Sequence, residues 1–243
     1  MNVLFVFIPL ISSIISFIFA FLVFRRYRMR KGTYLLIWGI GLIFYGIGGF
    51  CEFYYGAFGW NSIVYRAWYL FGAVLVAAWL GQGTVYLLVR KRWANATMIV
   101  LLAASLYAAI RVFTAQLDPS LLTASVHTGS ELSGHAITTP GVRVLTPFFN
   151  LYGTITLVGG ALYSAWLFWR KRVLLHRTIG NLLIAAGALL PAFGGAFSRF
   201  GIPAALYLGE FFGVLLIFAG FIRATTPMGE KMQAVPDPNL AGD

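Results

Sequence analysis

The chain has 243 residues, of which 60% are hydrophobic and only 10% charged, with a mean hydropathy of +0.82, whereas an ordinary soluble domain carries about 25% charged residues. A water-soluble fold cannot hide that much apolar surface. The formal charge of +11 sits in short clusters between apolar runs and so does not form the basic face or arm of a nucleic-acid binder, while a single cysteine, Cys51, excludes an intrachain disulfide and a thiolate metal cluster.

At about 20 apolar residues per spanning helix, the chain has room for seven spans. The apolar runs fall at about 3–24, 33–55, 63–89, 95–114, 144–169, 178–198 and 203–223. The first begins at Val3 without a basic segment before it or a small-residue cleavage site, and its positive charges, Arg25, Arg26, Arg28, Arg30 and Lys31, come afterwards. That order predicts an uncleaved helix inserted with its N-terminus outside. The second run carries Gly39, Gly41, Gly46, Gly48 and Gly49, and the third carries Gly72, Ala73, Ala77 and Gly81. Small residues of this kind let helix backbones approach closely in lipid.

Basic connections follow at Arg90 to Arg92 and at Arg170 to Arg177. With Arg25 to Lys31, Arg223 and Lys231, one side of the membrane would hold 14 of the 18 Lys and Arg residues. This bias predicts a cytoplasmic C-terminus. Residues 115–143 then form the single long external loop, rich in Ser, Thr, Gly and Pro. The expected fold is an all-α membrane protein: a seven-transmembrane-helix bundle over residues 1–225, followed by a short flexible cytoplasmic tail, 226–243. The expected location is the cell's inner (plasma) membrane.

The sixth run contains Pro191 followed by Gly194 and Gly195. Proline removes a backbone donor, so a kink or break is predicted there. The chain also echoes itself: Phe24-Arg25-Arg26 in Trp169-Arg170-Lys171, Gly41 and Gly48-Gly49 in Gly187 and Gly194-Gly195, and Phe71-Gly72 in Phe212-Gly213, at offsets of 141 to 146 residues. Either the spans form a parallel 3+1+3 duplication, or basic loops and glycine-rich helices recur as they do in many membrane proteins.

Ionisable residues inside spans are expensive, about 2.5–3.5 kcal/mol at mid-span on insertion scales, and mark partners, water or function. Glu52, Arg66, Arg111, Arg199 and Glu210 all fall in the outer third, on five different helices. The functional reading is an outer-leaflet vestibule for a small anionic or zwitterionic ligand, with Tyr69 and Tyr207 as lining candidates. The structural reading is that the arginines reach the headgroups and a Glu–Arg pair locks the bundle. Tyr54, Tyr55, Trp60, Tyr65 and Trp68 lie at the same level and read as an aromatic belt.

Several chemistries are excluded. Every lysine lies outside the spans, leaving no attachment point for retinal, and all three histidines lie in loops, leaving no intramembrane pair of haem ligands. No catalytic arrangement is evident within the spans, and no cofactor or metal site is expected.

The stretch Tyr69-Leu70-Phe71-Gly72-Ala73 through Leu80-Gly81-Gln82-Gly83-Thr84-Val85-Tyr86-Leu87-Leu88 resembles a helix of uncharacterised multispanning membrane proteins of bacteria. The overall layout also resembles seven-helix transporters of the SWEET type and seven-helix receptors, although no PQ dipeptide occurs in any span. These resemblances imply a fold and no activity. The expectation is a non-enzymatic protein that binds its ligand as a transporter or sensor. The alternative is a structural or accessory subunit of a larger membrane complex. Partners expected are the bilayer, a small ligand and a cytoplasmic or membrane protein, with no nucleic acid.

Overall fold

A computed structural model describes residues 3–59, 61–123, 134–171, 175–200, 202 and 204–225. Seven helices in it are long and apolar enough to cross a membrane: α1 Val3–Arg30, α2 Thr33–Phe58, α3 Ser62–Leu88, α4 Lys91–Phe113, α5 Val142–Arg170, α6 Leu175–Arg199 and α7 Ala204–Thr225. The tail 226–243 and loop positions 124–133 lie outside the described residues.

The helix ends follow from local chemistry. α1 runs on through its basic end to Arg30, because arginine is a good helix former, and stops where Lys31 takes a positive φ of 52°. At the start of α3 the Asn61 side chain accepts from the Val64 N–H at 2.8 Å, satisfying one of the donors that the first turn leaves open. Within α3, Trp68–Leu75 is a π-helical stretch, a feature frequent at functional sites.

Packing joins the spans in a ring, α1 to α2, α2 to α3, α3 to α5, α5 to α6, α6 to α7 and α7 back to α1. α4 lies outside this ring against α3 and α5. A small apolar void of about 20 Å³ lies along the ring axis, lined by Phe19, Trp38, Leu42, Leu80, Leu157, Ile184, Ile217 and Phe221. All six ring helices contribute to it and α4 does not.

Glycines decide how closely the helices approach. In the antiparallel pair α6 and α7, a methyl added to Gly180 would lie 2.7 Å from the Gly220 carbonyl oxygen, one on Gly187 2.7 Å from that of Gly213, and one on Gly194 2.5 Å from that of Ala205. The three glycines of α6 recur every seven residues, so they stay on one face of the helix.

Here the structure corrects the predicted break. α6 continues as a helix through Pro191, Gly194 and Gly195 to Arg199. Pro191 leaves the Gly187 carbonyl without its usual N–H donor four residues on. That carbonyl faces Gly213 so closely that a methyl there would come within 2.8 Å of it. A Cα–H···O contact across the interface is available to the orphaned oxygen, and the helix is unbroken across Pro191.

α4 is held to the ring by side-chain hydrogen bonds from α3: Trp79 Nε1 donates to Ser105 Oγ at 3.2 Å, the Tyr86 hydroxyl donates to Asn95 Oδ1 at 3.0 Å, and a buried amide makes two more. The fully buried Gln82 donates from Nε2 to the Ala94 carbonyl at 2.9 Å and to Thr97 Oγ1 at 3.1 Å, and its Oε1 accepts from the Tyr152 hydroxyl. Gln82→Leu keeps the volume but breaks both links to α4 and takes from the Tyr152 hydroxyl its acceptor, at a cost of about 1–3 kcal/mol. We expect α4 to loosen first, seen as faster proteolysis of the connections on either side of it; an unchanged cleavage rate would show that Gln82 is dispensable.

Candidate functional site

Glu52 lies six residues before the end of α2 and Glu210 six residues after the start of α7. Both therefore sit about 9 Å inside their helices at 1.5 Å per residue. The antiparallel course of α2 and α7 brings them to one level, and their carboxyl groups meet within hydrogen-bonding reach. Glu52 is 3% exposed, while Glu210 is partly buried and keeps some open surface.

Two further residues fix this pair. Trp68, first residue of the π-helical stretch, donates from Nε1 to Glu52 Oε1 at 3.0 Å. Tyr45, two turns before Glu52 on α2, donates its hydroxyl to the Glu210 backbone carbonyl at 2.7 Å, tying α2 to α7 directly beneath the acids. Glu52 Oε2 is buried without a well-directed donor. A hydrogen bond between two carboxyl groups requires a proton on one of them. Among the described residues no arginine or lysine acts on either acid; each meets the other acid, with Trp68 also bonded to Glu52.

For Arg66 and Arg111 of the expected Glu–Arg layer the structure gives other partners. Arg66 donates from Nη2 to the Ala115 carbonyl at 2.8 Å, and Arg111 donates from Nη2 to the Pro140 carbonyl at 2.8 Å and lies 5.9 Å from the Tyr107 ring centroid. Both arginines hold the two ends of the 115–143 connection onto the bundle. Those ends are ordered by an isolated antiparallel bridge between Leu117 and Ile137, with the Asp118 N–H on the Ala136 carbonyl at 2.8 Å and the Thr138 N–H on that of Gln116 at 3.0 Å. Asp118 caps its own turn, accepting from the Ser120 N–H and hydroxyl at 2.9 and 2.7 Å, and these bonds hold its carboxyl below the usual range.

Tyr69 is buried and shares a hydrogen bond of 2.8 Å with Thr146 Oγ1 of α5. Gly134, at φ 79°, rests against its ring, where a methyl would come within 2.7 Å of Cε2. It therefore supports the loop and stands apart from the acidic pair. Tyr207 is buried on α7, one turn before Glu210. The side chain of Arg199 lies outside the described residues. Arg143 is exposed and lines an open depression with Thr138, Pro140, Gly141 and Pro147.

Sequence reasoning placed Glu52 and Glu210 at similar height but did not pair them with each other. Tyr45 and Trp68 were missed, since a tyrosine in mid-span and a tryptophan near the interface read as packing and belt residues. Comparison with family models, with curated proteins and with solved structures finds no match to this chain. The resemblances drawn from one helix and from the layout thus gain no family from these comparisons; the seven apolar helices support a multispanning membrane protein and nothing narrower.

Proposed function

We propose that this is a multi-pass protein of the cell's inner membrane, N-terminus outside, that binds a small ligand at the Glu52–Glu210 pair as a transporter or sensor. One observation carries the reading: two carboxyl groups meet toward one end of the bundle, with no cation beside either among the described residues. An arrangement that costs so much without a compensating charge is a functional-site hypothesis by default.

The ligand class follows from the charge. A purely anionic ligand would meet like charge at this pair, and the arginines that favoured one, Arg66 and Arg111, are engaged with loop carbonyls. A zwitterionic ligand supplies the missing positive group and is the better match. Transport is supported by the ring of six helices about an axial void, because a path along that axis would need only the apolar contacts around the void to part. Glycine-to-glycine crossings join α2 to α3 at Gly48 and Gly72 and α6 to α7 at Gly187 and Gly213, one in each half of the proposed parallel 3+1+3 arrangement.

The test is a panel of small amino-carboxylates, dicarboxylates and amines added to the purified protein, with thermal stability as the readout. Amino-carboxylates or amines should raise the unfolding temperature. Stabilisation by dicarboxylates alone would reject the acidic pair as the site. For orientation, cysteines introduced at Ser130 and at Arg92 in a Cys51→Ser background should respond oppositely to a membrane-impermeant thiol reagent on intact cells. Ser130→Cys should label and Arg92→Cys should not; the reverse would invert the topology.

A further inference from the structure

The opposite end of the bundle carries an unbalanced basic corner. Arg26, near the end of α1, donates from Nη2 to the carbonyl of Thr225, the last residue of α7, at 3.0 Å. Its guanidinium lies 5.8 Å from the ring centroid of Phe221, so it is held against α7 by a hydrogen bond and a cation–π contact. Arg30, one turn further along α1, and Arg177 of α6 are the other cations near enough to act on it. Arg177 is itself exposed and lies over the Phe168 ring of α5, 5.5 Å from its centroid.

Among the described residues this corner lacks counter-charge. The described acids, Glu52, Asp118 and Glu210, all lie at the far end of the helices. Among the described residues Arg26 Nε has no acceptor, and Thr178 Oγ1, on a side chain only 7% exposed beside Arg177, has no hydrogen-bond partner. Three arginines from two helices, converging with a third helix end, repel one another until an anion joins them. Their planar donors suit phosphate oxygens, and basic pockets between spanning helices are the usual seats of acidic headgroups.

We infer that the corner formed by Arg26, Arg30 and Arg177 at the ends of α1, α6 and α7 binds the phosphodiester of an anionic phospholipid. A lipid is favoured over a free anion because the same helices expose apolar side chains within about one turn, Phe21 of α1 at 67% and Ile222 of α7 at 47%. These give acyl chains a surface to lie on. Bound there, the headgroup bridges α1 to α6 and α7 and closes the ring at this end.

The experiment uses the whole protein in an uncharged detergent, with phosphatidylglycerol, phosphatidylcholine or inorganic phosphate added, and reads the unfolding temperature and lipid retention by native mass spectrometry. Phosphatidylglycerol should stabilise the protein and remain bound, the other two should not. Arg177→Gln, on an exposed side chain, should weaken the phosphatidylglycerol response about fivefold, and Arg26→Gln at least as much, whereas Arg92→Gln at the start of α4 should leave it unchanged. Should Arg26→Gln fail to fold, Arg177→Gln alone decides. Equal stabilisation by phosphatidylcholine or by inorganic phosphate, or an unaltered response in Arg177→Gln, would overturn the assignment.

Discussion

The double substitution Glu52→Gln and Glu210→Gln is expected to leave insertion and folding intact while abolishing ligand-dependent stabilisation or transport. Glutamine keeps the shape of each side chain, and two amides facing each other can still hydrogen-bond. Trp68 Nε1 keeps an acceptor at position 52, at the 3.0 Å it spans now. What disappears is the negative charge, and with it the attraction for a ligand's positive group. Ion pairs and charged hydrogen bonds made in a desolvated site are worth about 1.5–3 kcal/mol each, or roughly tenfold or more in affinity.

The single variants sharpen this expectation. Either Gln substitution alone leaves one carboxyl facing an amide, and should reduce ligand affinity without the full loss. Glu52→Leu is a different case: it strips the acceptor from a buried Trp68 Nε1 and should lower stability by about 1–3 kcal/mol. If the double Gln variant matched wild type in ligand response across the panel, while Glu52→Leu only destabilised it, the pair would be a structural clasp between α2 and α7.

Gly213→Val is expected to be strongly disruptive. Its Cβ would lie 2.8 Å from the Gly187 carbonyl oxygen and 3.1 Å from Pro191 Cδ and Cγ. Backbone and a rigid ring cannot rotate aside, so α6 and α7 must separate, and the orphaned Gly187 oxygen loses its Cα–H contact at the same time. A loss of about 3 kcal/mol or more is expected, at the upper end for overpacking. Thermal unfolding in detergent would show it. Gly159→Ala is the control, because nothing lies within 4 Å of an added Cβ there; replacing a mid-helix glycine should leave stability unchanged or raise it by about 0.5–1 kcal/mol. If Gly213→Val melted with wild type, the close α6–α7 crossing would be wrong.

The sequence by itself determined that the chain forms seven apolar helices, because runs of about 20 apolar residues have no other stable state in lipid than hydrogen-bonded helix. It also marked Glu52 and Glu210 as anomalous, since a carboxyl within such a run stands out whatever surrounds it. Partner choice was not legible, because it depends on which helices adjoin and at what rotation. Arg66 and Arg111 were natural partners by height, yet the 115–143 connection folds back over them and offers backbone carbonyls at Ala115 and Pro140. Pro191 read locally as a kink or break, whereas the helix continues through it with the Gly187 carbonyl set closely against Gly213 of α7. Tertiary structure likewise decided that α4 stands outside the ring, and that the antiparallel course of α2 and α7 sets two acids against each other. These outcomes turn on close approach between segments far apart in the chain: hydrophobic runs specify burial in the bilayer, whereas the partners of each polar group depend on backbone distances that glycines set helix by helix.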